Sequence, residues 1–312
     1  MSITPIKPEK IVEKRKGLFI RLLSMIIFTI REKLIKSKLF LILYLIYTFV
    51  AVIGTVLLVI FSDILSFLPI PGKSDALAVY YALLLFGFGV TLLNDLAFWI
   101  VAFSSSNLLS DEIKSSNIII YYSKPIPRYF YILSRFLSIF LIIFIVAVIP
   151  IIVMSTVPVI RNEYLAQYFT QLDILKTIFI SILASVITLS FYILFVFAIS
   201  AIVEDRGASV LISFIIYYSS YILGFSLSIY VDKSFIVLSM GFWVTSIIIT
   251  LLGIPWMDIN FENIERIGRF LMLPNLKLPP VIYLIGSFAV IIVMEISAII
   301  IFRKIGLLES RG

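Results

Sequence analysis

Apolar residues along this chain run in blocks long enough to bury a bilayer core, and short polar turns separate them. A helix needs about 20 apolar residues to cross a hydrocarbon layer of ~30 Å. Six stretches meet that length: residues 39–61, 77–103, 129–154, 174–203, 208–230 and 281–302. Asn94 and Asp95 interrupt the second, Pro150 sits near the far end of the third, and the last holds a single charge, Glu295. The expected fold is an all-α polytopic membrane protein. Residues 17–36 follow a different pattern. Leu18, Leu22, Ile26, Ile30 and Leu34 recur at helical spacing, with Arg21, Arg31, Glu32, Lys33 and Lys36 on the remaining positions. That period with a basic polar side predicts an amphipathic helix lying along the membrane surface. The chain therefore divides into a basic N-terminal segment with this helix, residues 1–36, and one transmembrane domain, residues 37–312.

Charge fixes the expected orientation. Residues 1–38 hold ten Lys/Arg against three Glu, whereas the remaining 274 residues hold 15 basic and 15 acidic side chains, so the net +7 belongs to the N-terminal segment alone. A basic segment beside a membrane span reads as a cytoplasmic, lipid-facing anchor rather than a nucleic-acid site. Six crossings then return the C-terminus, with Arg303, Lys304 and Arg311, to the same side. The charge-free stretch 234–253 is long enough to cross, but a seventh crossing would place that basic cluster outside. Residues 234–280 are expected instead as an external, partly re-entrant region, which must be covered by protein because irregular backbone cannot face lipid. The connection 107–128 and the turn Glu204-Asp205-Arg206 fall on the cytoplasmic side. The protein is expected in the cell membrane, multi-pass, with both termini cytoplasmic.

Overall composition agrees: 62% of residues are hydrophobic and 14% charged, against roughly 25% charged in an average soluble domain. Cysteine and histidine are absent. That excludes disulfides, Cys/His zinc sites and Ser-His-Asp catalysis. No Gly-x-x-x-x-Gly-Lys-Ser/Thr loop occurs, so the chain has no cradle for nucleotide phosphates. It is not expected to be an enzyme, and no cofactor or metal is expected on it.

Polar groups inside the spans are the candidate chemistry. Ser181, Ser185, Thr188 and Tyr192 lie on one face of the fourth span, readable either as a wall of a substrate path or as helix packing. On the fifth span Ser220, Gly224 and Ser228 form a small-residue run suited to a helix–helix or subunit interface. Asn94, Asp95 and Glu295 are sharper, because a carboxylate in the membrane core costs several kcal/mol unless partnered. No Lys or Arg is expected in the interior of any other span. The two carboxylates either line an inner vestibule and meet a polar or cationic part of a substrate, or they are bonded between helices.

The connection after the second span contains Ser110, Asp111, Glu112, Ile113, Lys114, Ser115, Ser116 and Asn117, the apolar run 118–122, then Ser123, Lys124, Pro125, Ile126 and Arg128. An apolar stretch with a charged rim suits a protein-docking element; lying on the membrane surface is the plainer alternative. Together with Arg135 this stretch resembles the permease subunit of type-2 ABC transporters, with Ser116-Asn117 where that family usually has Gly-Thr. The N-terminal amphipathic helix resembles the family's elbow helix, and the region before the last span resembles its re-entrant segment. The resemblance implies an exporter built from two permeases, a second copy or a homologous chain, and two cytoplasmic ATPase subunits that carry ATP and Mg. It implies that Ser110–Asn117, Lys124 and Arg128 form a coupling helix on the ATPase, with Glu204, Asp205 and Arg206 as a second contact. A stand-alone secondary transporter or channel is the alternative, though it would usually show repeat halves or paired broken helices, and neither is visible.

Overall fold

A computed structural model describes residues 18–65, 76, 92–114, 128–253 and 278–309. Among them the chain is helical, with no strand. The N-terminal helix α1 (Leu18–Phe28) runs into a π-helical segment (Thr29–Ile35). Then follow α2 (Lys38–Leu65), α3 (Leu92–Lys114), α4 (Arg128–Arg161), α5 (Glu163–Tyr168), α6 (Gln171–Val203), α7 (Arg206–Tyr230), a 3₁₀ turn (Lys233–Leu238), α8 (Met240–Leu252) and α9 (Pro280–Glu309).

Among the described residues, five helices are long and apolar enough to cross a membrane: Lys38–Leu57, Phe130–Pro150, Gln171–Val203, Arg206–Tyr230 and Pro280–Gly306. Their outward faces are mostly apolar. Leu45, Phe49 and Val52 on α2, Ile215, Ile222 and Phe225 on α7, and Phe288, Ile292 and Ile299 on α9 are all exposed. Hydroxyls point the other way: Ser104, Ser105, Ser106, Ser138, Ser200, Ser209 and Ser213 are buried between helices. Apolar outside and polar inside is the arrangement lipid demands. The chain has the character of a multi-pass membrane protein.

Helix ends follow local chemistry. Thr170 and Asp173 form a reciprocal capping box at the start of α6, at 3.2 and 3.1 Å, which starts that helix three residues before 174. Glu204 ends it in the left-handed conformation at φ 58°. Asp205 Oδ1 accepts from Ala208 N at 3.0 Å and opens α7. Ser239 caps α8, and Gly253 closes it at φ 73°. In the link between α7 and α8, hydrogen bonds from the Ser234 side chain and N–H hold the Asp232 carboxyl below its usual range.

α6 is the centre of the bundle and touches α3, α4, α7, α8 and α9. α2 lies against α3 and α4. With 13 residues, α8 reaches only ~20 Å, too short to cross alone, and almost every residue from Met240 to Ile249 is buried against α6, α7 and α9. Residues 254–277, the rest of the expected re-entrant region, lie outside the described residues, as do residues 77–91 of the second expected span.

Several boundaries differ from expectation. The connection expected from residue 107 is helical as far as Lys114. Leu108, Leu109, Ser110 and Ile113 are buried there, so tertiary packing extends a segment whose local sequence reads as polar. α4 continues to Arg161, through Pro150 and Pro158, seven residues past the end of the third apolar stretch at residue 154. The N-terminal helix is two-sided. Ile26 and Leu34 are buried, while Phe19, Leu23 and Ile27 are exposed, so its apolar residues divide between the bundle and the outer surface. On its polar side Lys36 bonds Glu32, and that bond holds the Glu32 carboxyl below its usual range.

One cation is buried within the bundle near the start of α4. Arg135, seven residues into α4, is 1% exposed. It donates to Thr29 Oγ1 and lies over the Tyr131 ring at 5.1 Å. Ser138 Oγ on the next turn reaches Ile26 O at 3.4 Å. These contacts dock the N-terminal helix on α4.

Candidate functional site: a carboxylate ringed by aromatics

α3 carries Asp95, Phe98 and Trp99 at i, i+3 and i+4, which places them on one face. α7 presents Phe214, Tyr217, Tyr218 and Tyr221 with the same spacing. The two faces meet, because α3 packs on α7. Tyr217 Oη donates to Asp95 Oδ1 at 3.0 Å. Behind it the Tyr217 and Tyr192 hydroxyls lie 3.5 Å apart, which links α3, α6 and α7 through one carboxylate and two phenols.

The aromatic rings set the rigidity of this cluster. Phe98 stacks on Tyr217 with centroids 4.1 Å apart and meets Tyr192 edge-on at 5.2 Å. Trp99 Nε1 donates to Tyr218 Oη at 2.6 Å, and its ring packs edge-on against Phe214 at 5.3 Å. Burial falls from inside to outside. Phe98, Tyr192 and Tyr217 are at most 2% exposed, whereas Trp99 and Tyr221 are 39% and 46% exposed. Asp95 is half-buried between the two layers. The donor that holds it is a neutral phenol, and no salt bridge reaches it among the described residues.

Hydroxyls continue the polar seam from this cluster. Ser110 and Ser209 are 3.2 Å apart, and Ser200 lies 3.4 Å from Ser106. The Ser104 and Ser105 hydroxyls are buried without a hydrogen-bond partner among the described residues.

The remaining sequence-derived candidates fall in three places. Ser181, Thr188 and Tyr192 are buried along one side of α6 and Ser185 is half-buried. Ser185 bonds Ser181 O at 3.0 Å, and the Ser181 hydroxyl has no partner among the described residues. Ser220 and Gly224 face the start of α8: Met240 N donates to Ser220 Oγ at 3.2 Å, and a Cβ on Gly224 would sit 2.7 Å from Ser239 N. Ser228 bonds its own helix, at Phe225 O. The small-residue run thus seats α8 within this chain. Glu295 is exposed on α9 among Ile291, Ile292, Ile296 and Ile299, and no hydrogen bond or ion pair joins it to Asp95.

At the opposite end of the seam the chain's connections converge. Ser110 reaches Ser209 near the end of α3, Lys304 of α9 pairs with Glu204, and Arg135 near the start of α4 holds Thr29. Asp111, Glu112 and Lys114 lie in the last turn of α3, and Arg128 begins α4. Asn94 lies in the first turn of α3. Ser115, Ser116, Asn117 and Lys124 lie outside the described residues.

Asp95 is legible from the sequence as an intramembrane carboxylate. Its aromatic partners are not, although the helical spacing of positions 214, 217, 218 and 221 is a signal that could have found them. Arg135 stands out in the sequence only as one element of a family pattern. Compared with protein-family models, curated proteins and solved structures, the chain matches none.

Proposed function

We propose that this chain is the transmembrane subunit of an ATP-driven exporter of the type-2 ABC kind, with ATP hydrolysed on a separate cytoplasmic subunit. It crosses the membrane six times, with α3 as the lower part of the second crossing, α8 as a re-entrant helix and the N-terminal helix as an elbow. Both termini are cytoplasmic. The observation that supports this reading best is the convergence at one end of the bundle. The charged end of α3, the start of α4, the Glu204–Arg206 turn, the basic exit of α9 and the N-terminal helix share that end. A positively charged end is the cytoplasmic one. A motor docked on the 107–128 connection would push α3 and α4 together, and rigid-body movement of these helices against α6 would alternate the access of a pathway.

The test is purification of the full chain from its native membrane. An ATPase with a phosphate-binding loop should copurify and should crosslink to a Ser116→Cys variant, a clean probe because the natural chain lacks cysteine. Copurification of no nucleotide-hydrolysing protein, with transport intact in vesicles lacking ATP, would overturn it and favour a stand-alone secondary transporter.

A further inference from the structure

We propose that Asp95, with the partly exposed rings of Trp99, Tyr218 and Tyr221, binds a lipophilic organic cation, such as a quaternary ammonium or phosphonium group. This rests on reading the chain as a transporter subunit, and it names the class of molecule the subunit handles.

Three observations carry it. First, the carboxylate is half-buried in the α3–α7 seam and, among the described residues, is held by one neutral donor, Tyr217, at 3.0 Å. A carboxylate in such surroundings is stabilised most by a cation, and no cationic side chain reaches it among the described residues. Second, its surroundings are π faces rather than further oxygen ligands. Calcium takes six to eight oxygens and magnesium a near-octahedral set, and the described residues hold no cluster of three metal-binding side chains. A primary ammonium would need acceptors for three N–H groups. Besides Asp95, the oxygens described at the site are phenol hydroxyls that each already make a hydrogen bond, Tyr217 to Asp95 and Tyr218 from Trp99 at 2.6 Å. A cation without N–H groups needs only the one charge and the rings, which attract it through their quadrupoles.

Third, the site is open and braced. Trp99 and Tyr221 are 39% and 46% exposed, and the indole is fixed by its bond to Tyr218 and its edge contact with Phe214. The stacked Phe98–Tyr217 pair forms the floor. Fixed rings lose little freedom on binding. The opening lies on the outer side of the α3–α7 seam, beside exposed Ile215 and Ile222, so a lipophilic ligand arrives laterally from the bilayer.

The experiment uses the full chain in nanodiscs of zwitterionic lipid, titrated with tetraphenylphosphonium by equilibrium dialysis. Saturable binding is expected. Asp95→Asn keeps an acceptor for Tyr217 and removes the charge, and should weaken binding by at least about tenfold. Trp99→Leu should weaken it by roughly 2- to 30-fold. Glu163→Gln, an exposed charge on α5, should bind as the natural protein does. Neutral triphenylphosphine oxide should not compete. Should Asp95→Asn fail to fold, Trp99→Leu and the neutral competitor carry the test. Equal affinity in Asp95→Asn, equal affinity in Trp99→Leu, or equal competition by the neutral analogue would each overturn the proposal. The readout is binding without nucleotide, so its failure leaves the exporter reading standing, and absence of an ATPase leaves the binding site standing.

Discussion

Replacing Gly224 with alanine tests the packing that seats the short helix α8. A Cβ at position 224 would lie 2.7 Å from Ser239 N, 2.9 Å from Ser239 Cβ and 3.1 Å from Ser239 Cα. Two of those atoms are backbone at the start of α8 and cannot swing aside, so α7 or α8 must shift. Overpacking of this kind costs about 1–3 kcal/mol. One turn away, Ser220 Oγ accepts from Met240 N at 3.2 Å, and the same shift would stretch that bond, worth about 1 kcal/mol. The expected penalty for Gly224→Ala is therefore about 2–4 kcal/mol. Gly54→Ala is the internal control, because nothing lies within 4 Å of a Cβ there and alanine favours a helix by up to about 1 kcal/mol. Reversible unfolding in mixed micelles with increasing denaturing detergent measures both. If Gly224→Ala is as stable as Gly54→Ala, the close approach of α7 to α8 is wrong. If the penalty disappears on dilution of the protein, the small-residue run packs between copies rather than within the chain.

Arg135→Met should release the N-terminal helix, because a buried charged donor to Thr29 and a cation over Tyr131 are removed together. At about 1.5–3 kcal/mol for a charged hydrogen bond, trypsin cleavage at Arg21 and Arg31 should accelerate roughly 10- to 100-fold, and unchanged cleavage would refute the docking. Charge reversal at Glu204 or Lys304 alone should cost at most about 1 kcal/mol, as expected of a partly exposed pair. The double swap should restore most of that stability in the same unfolding assay.

Much of this architecture can be read from hydropathy, because lipid imposes long apolar helices and leaves a strong one-dimensional trace. The long helices α2, α4, α6, α7 and α9 all correspond to apolar runs found in the sequence. α3 departs from that rule. Its lower half holds Ser104, Ser105, Ser106, Ser110 and the charged last turn, so hydropathy ends the span at 103 while burial against α6 and α7 carries the helix to Lys114. Arg135 is buried for a related reason. A cation that reads as a boundary marker in sequence is here covered by a neighbouring segment more than 100 residues away, at Thr29. At the candidate site the carboxylate is visible in the sequence because its cost is local. The aromatics on α7 lie more than 110 residues along the chain, and only the crossing of α3 and α7 brings them to it. Glu295 shows the converse: its residue type resembles that of Asp95, but it lies exposed on α9.

The central position of α6 has a consequence for any motion of the bundle. Helices α3, α4, α7, α8 and α9 all rest on it, so the molecule cannot hinge apart as two halves; each must slide or roll over a shared pivot. A crevice opening there would wet the strip that includes Ser181, Thr188 and Tyr192. Water entering that crevice would satisfy the Ser181 hydroxyl, which the closed packing leaves without a partner among the described residues, and hydration would thereby lower the free energy needed to part the helices.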